Sequence, residues 1–384
     1  MARWLLPEGI SDVLPHEAWR LEQLRRTLLD LYRGYGYALV MPPLLEYLES
    51  LLTGVGADLD LRTFKLVDQL SGRMLGLRAD TTPQVARIDA HILNRPGVVR
   101  LCYAGSVVHA RPAHPLAVRE PLQVGAELYG FEGPAADREV QSLAVVSLRA
   151  AGLTSIRLDF GHTRIVRSLL SHVPPAALEA VTAALAVKDM SSIARIAQEL
   201  PAPINEQLQV LVRLHGGAEV LTAARRCFKG IEAIASALDE LESLAASCGA
   251  DDVSFDLAEL HGYGYYTGVN FAAYAPGVAS ALLRGGRYDD IGKAFGRRRP
   301  ATGFSVDLRD VASTFALAGE AAAELIVAPA DRDVALDALV ERLRSEGRVV
   351  VRRLDNAAVD PQPATHQIER TNAGWQVVPV SQRR

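Results

Sequence analysis

The chain has 384 residues, of which 49% are hydrophobic and 22% charged, so it carries enough apolar material for a large core and is not a disordered polymer. Its net charge of -4, with both signs mixed along the chain, advertises no overall basic surface for nucleic acid. At roughly 150 residues per domain, two or three domains are expected.

Three cysteines, Cys102, Cys227 and Cys248, have no CxxC spacing. They read as buried free thiols in a reducing compartment, with neither a zinc site nor a disulfide framework. Pro7 and Glu8 interrupt the N-terminal apolar residues, and no apolar run reaches the length of a bilayer span. The expectation is a cytoplasmic protein without a signal peptide.

In chain order, Leu21, Leu24, Leu28, Leu29 and Tyr32 recur at helical spacing and predict an amphipathic helix over 16–35, stopped by Gly34 and Gly36. Residues 37–41 read as a short strand closed by Pro42 and Pro43. Two strands, 64–67 and 74–77, flank a turn around Ser71-Gly72, and a helix starts at Pro83. Strands are expected at 99–109 and 121–130, a helix at 137–151 and a strand at 156–160. From about 165 to 250 the chain is rich in Ala and Leu with helical periodicity, and reads as a helical insertion. Strand signals return at 253–257 and 269–274, after which Gly285-Gly286 and Arg297–Pro300 punctuate the chain. The tail reads as strand 325–328, helix 334–344, strand 349–351, a loop at Pro361 to Pro363 and strand 376–379.

This order predicts an α+β body with an antiparallel sheet, not a doubly wound parallel one. No GxGxxG, GxxxxGK[ST], HExxH or GxSxG pattern occurs. The expected division is a core over 1–320, holding the helical insertion, and a short α/β extension over 321–384.

Six segments in order resemble histidyl-tRNA synthetase, a class II aminoacyl-tRNA synthetase. They are Pro7–Pro15; Tyr35–Ala38 leading into Pro42-Pro43 and Glu46; Leu77–Thr82; Tyr103–Gly105 through Gln123–Glu127; His261–Gly268; and Gly285–Asp289 with Gly303-Phe304. The resemblance spans roughly residues 5–315 and implies an antiparallel sheet flanked by helices. The second segment resembles the motif that builds the dimer interface in such enzymes.

Amino-acid activation needs fixed positive charge around a bent triphosphate, and arginine supplies it through a planar, permanently charged fork. The three family arginines that do this are absent. Val108-His109-Ala110-Arg111 stands where Phe-Arg-x-Glu is expected, with His109, or Val108 if a gap is allowed, at the arginine. His261 leads the histidyl signature, and Asp310 ends the third motif with the opposite charge. Each lost transition-state donor costs roughly 2.7–4 kcal/mol, so adenylate chemistry is not expected. Rescue by Arg111, Arg119, Arg284, Arg287 or Arg297 is the alternative, and would make the chain a divergent histidyl-tRNA synthetase.

The amino-acid side is kept. The resemblance implies that Asp80, Thr82, Gln123, Glu127, Tyr265 and Tyr266 line a histidine pocket, with the two tyrosines closing over the imidazole. Gln123 and Glu127 are four residues apart on one strand, hence on one face. Taken singly, Asp80 also reads as a helix cap and the strand pair as a solvated face; the ordered frame is what selects the pocket. Gly264 departs from the signature, where an aspartate is expected. His162 and His261 have no nucleophile partnered with them and read as packing residues. The 60–65 residues after the third motif are too few for the anticodon-binding domain of the synthetases.

These departures resemble the synthetase-like regulatory subunit family of ATP phosphoribosyltransferase. That resemblance implies a non-catalytic chain without cofactor or metal, which relays histidine feedback on the first step of histidine biosynthesis. Its expected partners are a short-form catalytic subunit and L-histidine, in a hetero-oligomer built on a homodimer, with no nucleic acid or membrane. An interaction module without a small-molecule ligand is a third reading.

Overall fold

A computed structural model describes residues 4–54, 56–112, 117–278, 280–314, 325–354 and 364–380. The chain divides into two units, Met1–Phe315 and Ala316–Arg384.

The first unit opens with α1 (Pro15–Gly34), whose Leu21, Leu24, Leu28 and Tyr32 are buried at the spacing of one helical face. The apolar run after it pairs only as β1 (Ala38–Leu39), parallel to a later strand, while Met41 stands exposed before the two prolines. Next come β2 (Leu45–Tyr47), α2 (Leu48–Leu51), α3 (Ala57–Arg62), β3 (Phe64–Val67) and β4 (Met74–Leu77). Strands β2, β4 and β3 form a small antiparallel sheet in that order. Then follow α4 (Thr82–Arg87), a π-helical turn at Ile88–Leu93, β5 (Val99–Ser106), β6 (Leu122–Tyr129), α5 (Pro134–Ala150) and β7 (Arg157–His162). The strand expected at 99–109 ends early because His109 leaves the ladder to bridge Thr63.

The insertion is helical: α6 (Thr163–Leu170), α7 (Pro175–Ala186), α8 (Met190–Ala197), α9 (Ile204–Leu211), α10 (Glu219–Cys227) and α11 (Glu232–Ala245), with the two-residue strand β8 (His215–Gly216) inside it. Cys102 and Cys248 are buried, but Cys227, at the exposed end of α10, corrects the reading of three buried thiols. The chain returns through β9 (Asp252–Asp256), β10 (Val269–Tyr274), β11 (Leu283–Arg287), β12 (Ala301–Asp307) and α12 (Leu308–Thr314).

One nine-stranded sheet organises this unit, in the order β1-β5-β6-β12-β11-β10-β7-β9-β8. All its pairings are antiparallel except β1 with β5 and β7 with β9. Strands β11 and β12, which the sequence reading missed, lie near its centre and run through Gly285, Gly286 and Gly303. No helix among the described residues is long and apolar enough to cross a membrane.

The second unit holds β13 (Leu325–Ala328), α13 (Val334–Ser345), β14 (Val349–Arg352), β15 (His366–Thr371) and β16 (Gly374–Pro379) in a four-stranded sheet ordered β14-β13-β15-β16. Asp333 caps α13 by accepting the amides of Ala335 and Leu336. Ile326, Leu336, Val340, Leu343 and Ile368 form its core. Strand β15 escaped the sequence reading because Gln367, Glu369, Arg370 and Thr371 leave Ile368 as its one aliphatic residue. The loop expected at Pro361 to Pro363 lies outside the described residues.

Candidate functional site

A cleft of about 920 Å³ opens over β6, β12 and β11, and all six expected residues line it: Asp80, Thr82, Gln123, Glu127, Tyr265 and Tyr266. The β6–β12 register sets its floor, with Glu127 opposite Gly303, Gly125 opposite Ser305 and Gln123 opposite Asp307. Asp80 and Thr82 come from the start of α4, and Tyr265 and Tyr266 from the loop before β10.

Around Gln123 and Glu127 the polar groups orient one another. Gln123 Nε2 donates to Asp80 Oδ1 at 2.9 Å, while Gln123 Oε1 accepts the Thr81 amide at 2.9 Å. The same Asp80 oxygen accepts the Thr82 amide at 3.2 Å, closing a local turn ahead of α4, whose N-cap residue is Thr81 and not Asp80. Glu127 is 1% exposed and its carboxyl is held by two phenols. The Tyr103 hydroxyl donates to Oε1 at 3.1 Å, and the Tyr288 hydroxyl donates to Oε2. Burial pushes the Glu127 carboxyl up to about 8; the Tyr288 hydrogen bond opposes that rise and the nearby Asp80 charge adds to it. Tyr265 stacks on Tyr288 at 4.9 Å and meets Tyr266 edge-on at 5.3 Å. The Tyr265 hydroxyl is buried with no hydrogen-bond partner among the described residues.

Two glycines make this packing possible. A Cβ on Gly303 would lie 1.6 Å from Glu127 Oε2, and one on Gly125 would lie 2.4 Å from the Tyr103 hydroxyl. The floor is bare so that Glu127 and Tyr103 can lie across it. Tyr288 is anchored from beneath: Arg287, beside it, donates to Asp137 of α5 at 2.8 and 3.0 Å in a buried ion pair. Sequence reasoning missed Tyr103 and Tyr288, although both lie inside motifs that it singled out.

A second group of residues lining the cleft is different. His109, His261 and Asp310, the three positions where arginine is expected, all line it. His109 is buried, with Nε2 3.0 Å from the Ala79 carbonyl and its ring against Arg62 Nη2. Burial and then the Arg62 charge pull its pKa down to about 4, so the ring there is neutral. Asp307 accepts the amides of Leu122 and Arg309, and burial together with Asp310 pushes its carboxyl up to about 7. Of the arginines that could compensate, Arg119 donates to the carbonyls of Glu8, His109 and Ala110. Arg287 is committed to Asp137, and Arg297 to Asn94 and the Arg95 carbonyl. Arg111 is exposed and absent from the lining; Arg284 and Arg62 do line the cleft. His162 packs as expected, accepting the Arg164 amide at Nδ1 and contacting Glu240 through Nε2 at 3.0 Å. His261 instead belongs to the cleft.

The sheet, its flanking helices and this cleft define a histidyl-tRNA synthetase-like class II fold. The family model for histidyl-tRNA synthetase matches residues 9–311, and the model for the ATP phosphoribosyltransferase subunit HisZ C-terminal domain matches residues 323–378. A histidyl-tRNA synthetase from Nostoc superposes with a TM-score of 0.76 over 96% of this chain and 92% of its own at 17% identity, a likeness of fold alone. A Bacillus halodurans protein described as an ATP phosphoribosyltransferase regulatory subunit/histidyl-tRNA synthetase superposes with a TM-score of 0.82 over 94% of this chain and 95% of its own, at 27% identity. The ATP phosphoribosyltransferase regulatory subunit of Cupriavidus metallidurans is 54% identical over 98% of this chain and 99% of its own. That of Ralstonia nicotianae is 52% identical over 99% of each. The chain belongs to the ATP phosphoribosyltransferase regulatory subunit family.

Proposed function

We propose that the cleft is an L-histidine sensor in a non-catalytic subunit of ATP phosphoribosyltransferase, acting in histidine biosynthesis. One observation carries the reading: Asp80, Thr82, Gln123, Glu127, Tyr265 and Tyr266 line one cleft together with His109, His261 and Asp310, which stand where the synthetase motifs have arginines. An ammonium group finds acceptors at Asp80, and an imidazole finds a buried carboxyl framed by phenols at Glu127. ATP meets Arg62, which leans on the His109 ring, and Arg284, but not the three motif arginines that would hold a bent triphosphate. Between residues 165 and 248 the insertion has seven Lys and Arg against nine Asp and Glu, a balance unsuited to holding RNA.

The chain works in the cytoplasm within a hetero-oligomer, a homodimer joined by short-form catalytic subunits. Histidine inhibits by binding more tightly to the low-activity state of that assembly, and the ratio of the two affinities limits the inhibition. Calorimetric titration of the purified chain with L-histidine, and separately with ATP and magnesium, tests this. Binding of histidine alone is expected. Tight binding of both, with formation of histidyl-adenylate, would instead establish a divergent synthetase.

A further inference from the structure

We propose that the cleft takes its ligand as an imidazolium, formed when Glu127 passes its proton to the incoming ring, so that the site selects amino acids whose aromatic side chain can be protonated. This rests on the histidine reading above. The geometry is that of a cation receptor waiting for its charge. Glu127 on β6 is 1% exposed, and among the described residues around it are Tyr103 from β5, Thr82 from α4, Tyr129 two positions along β6, Tyr265 and Tyr266 from the loop before β10, Tyr288 after β11 and Gly303 on β12, with Asp80 the charged group that acts on it most strongly. None of its hydrogen-bond partners among the described residues is lysine, arginine or histidine. A buried carboxylate without a counter-cation is costly, so the empty site holds the acid form. Its upward shift to about 8 agrees with this.

The hydroxyl network lets the proton leave. The Tyr103 hydroxyl lies 3.1 Å from both Thr82 Oγ1 and Glu127 Oε1, and either hydroxyl of the Tyr103–Thr82 pair can donate. Tyr103 can therefore accept from the acid while donating to Thr82, then turn to donate to the carboxylate. On binding, the carboxyl O–H bond breaks and a ring N–H bond forms. The carboxylate left behind is stabilised by two phenol donors and the new cation. A free imidazole titrates near pH 6.5. Between that value and about 8 the proton passes from site to ligand and nothing is exchanged with solvent. Below this window the ligand arrives charged and the site must release a proton. Above it the site is already ionised and a proton must be taken up. Affinity should therefore fall about tenfold per pH unit on either side.

The test uses the full chain, alone and with its catalytic partner, and ring-¹⁵N-labelled L-histidine. At pH 7.5 the bound ring should show both nitrogens protonated while free histidine is neutral, and calorimetry from pH 5.5 to 9.5 should show the two-sided profile. Thiazolylalanine, whose ring stays neutral, should bind at least about thirtyfold more weakly. Glu127→Gln should lose the alkaline limb and hold a neutral ring. A neutral bound ring in the wild-type site, or affinity flat to pH 9.5, would overturn the proposal while leaving the histidine pocket intact. Absence of histidine binding at every pH, in chain and complex alike, would overturn the pocket and this inference together.

Discussion

Two groups of side chains share the floor of the cleft and differ in what their polar groups are for. Around Glu127 the carboxyl and amide groups are fixed by neighbours: Gln123 by Asp80 and the Thr81 amide, Glu127 by Tyr103 and Tyr288. Around His109 and Asp307 the polar groups hold the backbone, at the Ala79 carbonyl and at the Leu122 and Arg309 amides. The first arrangement is preorganised for an outside ligand, since its orientation cost is met before binding. The second is filled structure.

The sharpest way to break this contrast is Gly303→Ala. The added methyl would overlap Glu127 Oε2, and overpacking of this kind costs roughly 1–3 kcal/mol of stability. Histidine affinity should fall more than about a hundredfold, because displacing the carboxyl also forfeits a charge-assisted contact. Titration calorimetry beside a thermal melt reads both effects. Tyr288→Phe comes next. It removes one donor to Glu127 and should cost roughly 1.5–3 kcal/mol of binding at pH 7.

A stability effect of pH follows from the same carboxyl. The native Glu127 titrates near 8, against 4.5 for an ordinary glutamate, so the unfolded chain binds fewer protons in that interval. The stability contributed by its buried acid form is complete below 4.5 and is lost as pH rises through about 8. The melting temperature of Glu127→Gln should therefore gain on wild type between pH 5 and pH 8. The smallest effects belong to the group around His109 and Asp307. Arg62→Ala should change histidine affinity by less than about threefold, and Asp310→Arg alone should leave ATP–pyrophosphate exchange at background, because His109 and His261 still stand where cations are needed.

Where sequence and structure part company, the site is usually the reason. The helix over α1 was legible because its apolar spacing reports burial directly, whereas the strands at 64–67 and 74–77, whose apolar residues are largely exposed, were legible from their short apolar runs around a Ser71-Gly72 turn. Strands β11 and β12 were not, because Gly285, Gly286 and Gly303 carry no strand propensity; at Gly303 that absence of a side chain is what Glu127 requires. The six pocket residues could be named from motif order, but Tyr103 and Tyr288 could not. Their roles depend on cross-strand reach to a carboxyl 24 and 161 residues away in the chain. The fate of Arg119 was equally hidden, since carbonyl acceptors leave no mark in a sequence.

That arginine has a practical side. Arg119 donates to the Glu8 carbonyl, and Arg309 donates to the carbonyl and hydroxyl of Ser11, so two guanidinium groups rooted beside the cleft moor the leading segment. Trimming the first dozen residues, or crowding them with a fusion partner, would cast off both moorings. The damage would surface at the rim of the cleft, far along the chain from the cut, and would be mistaken for a defect in the cleft itself.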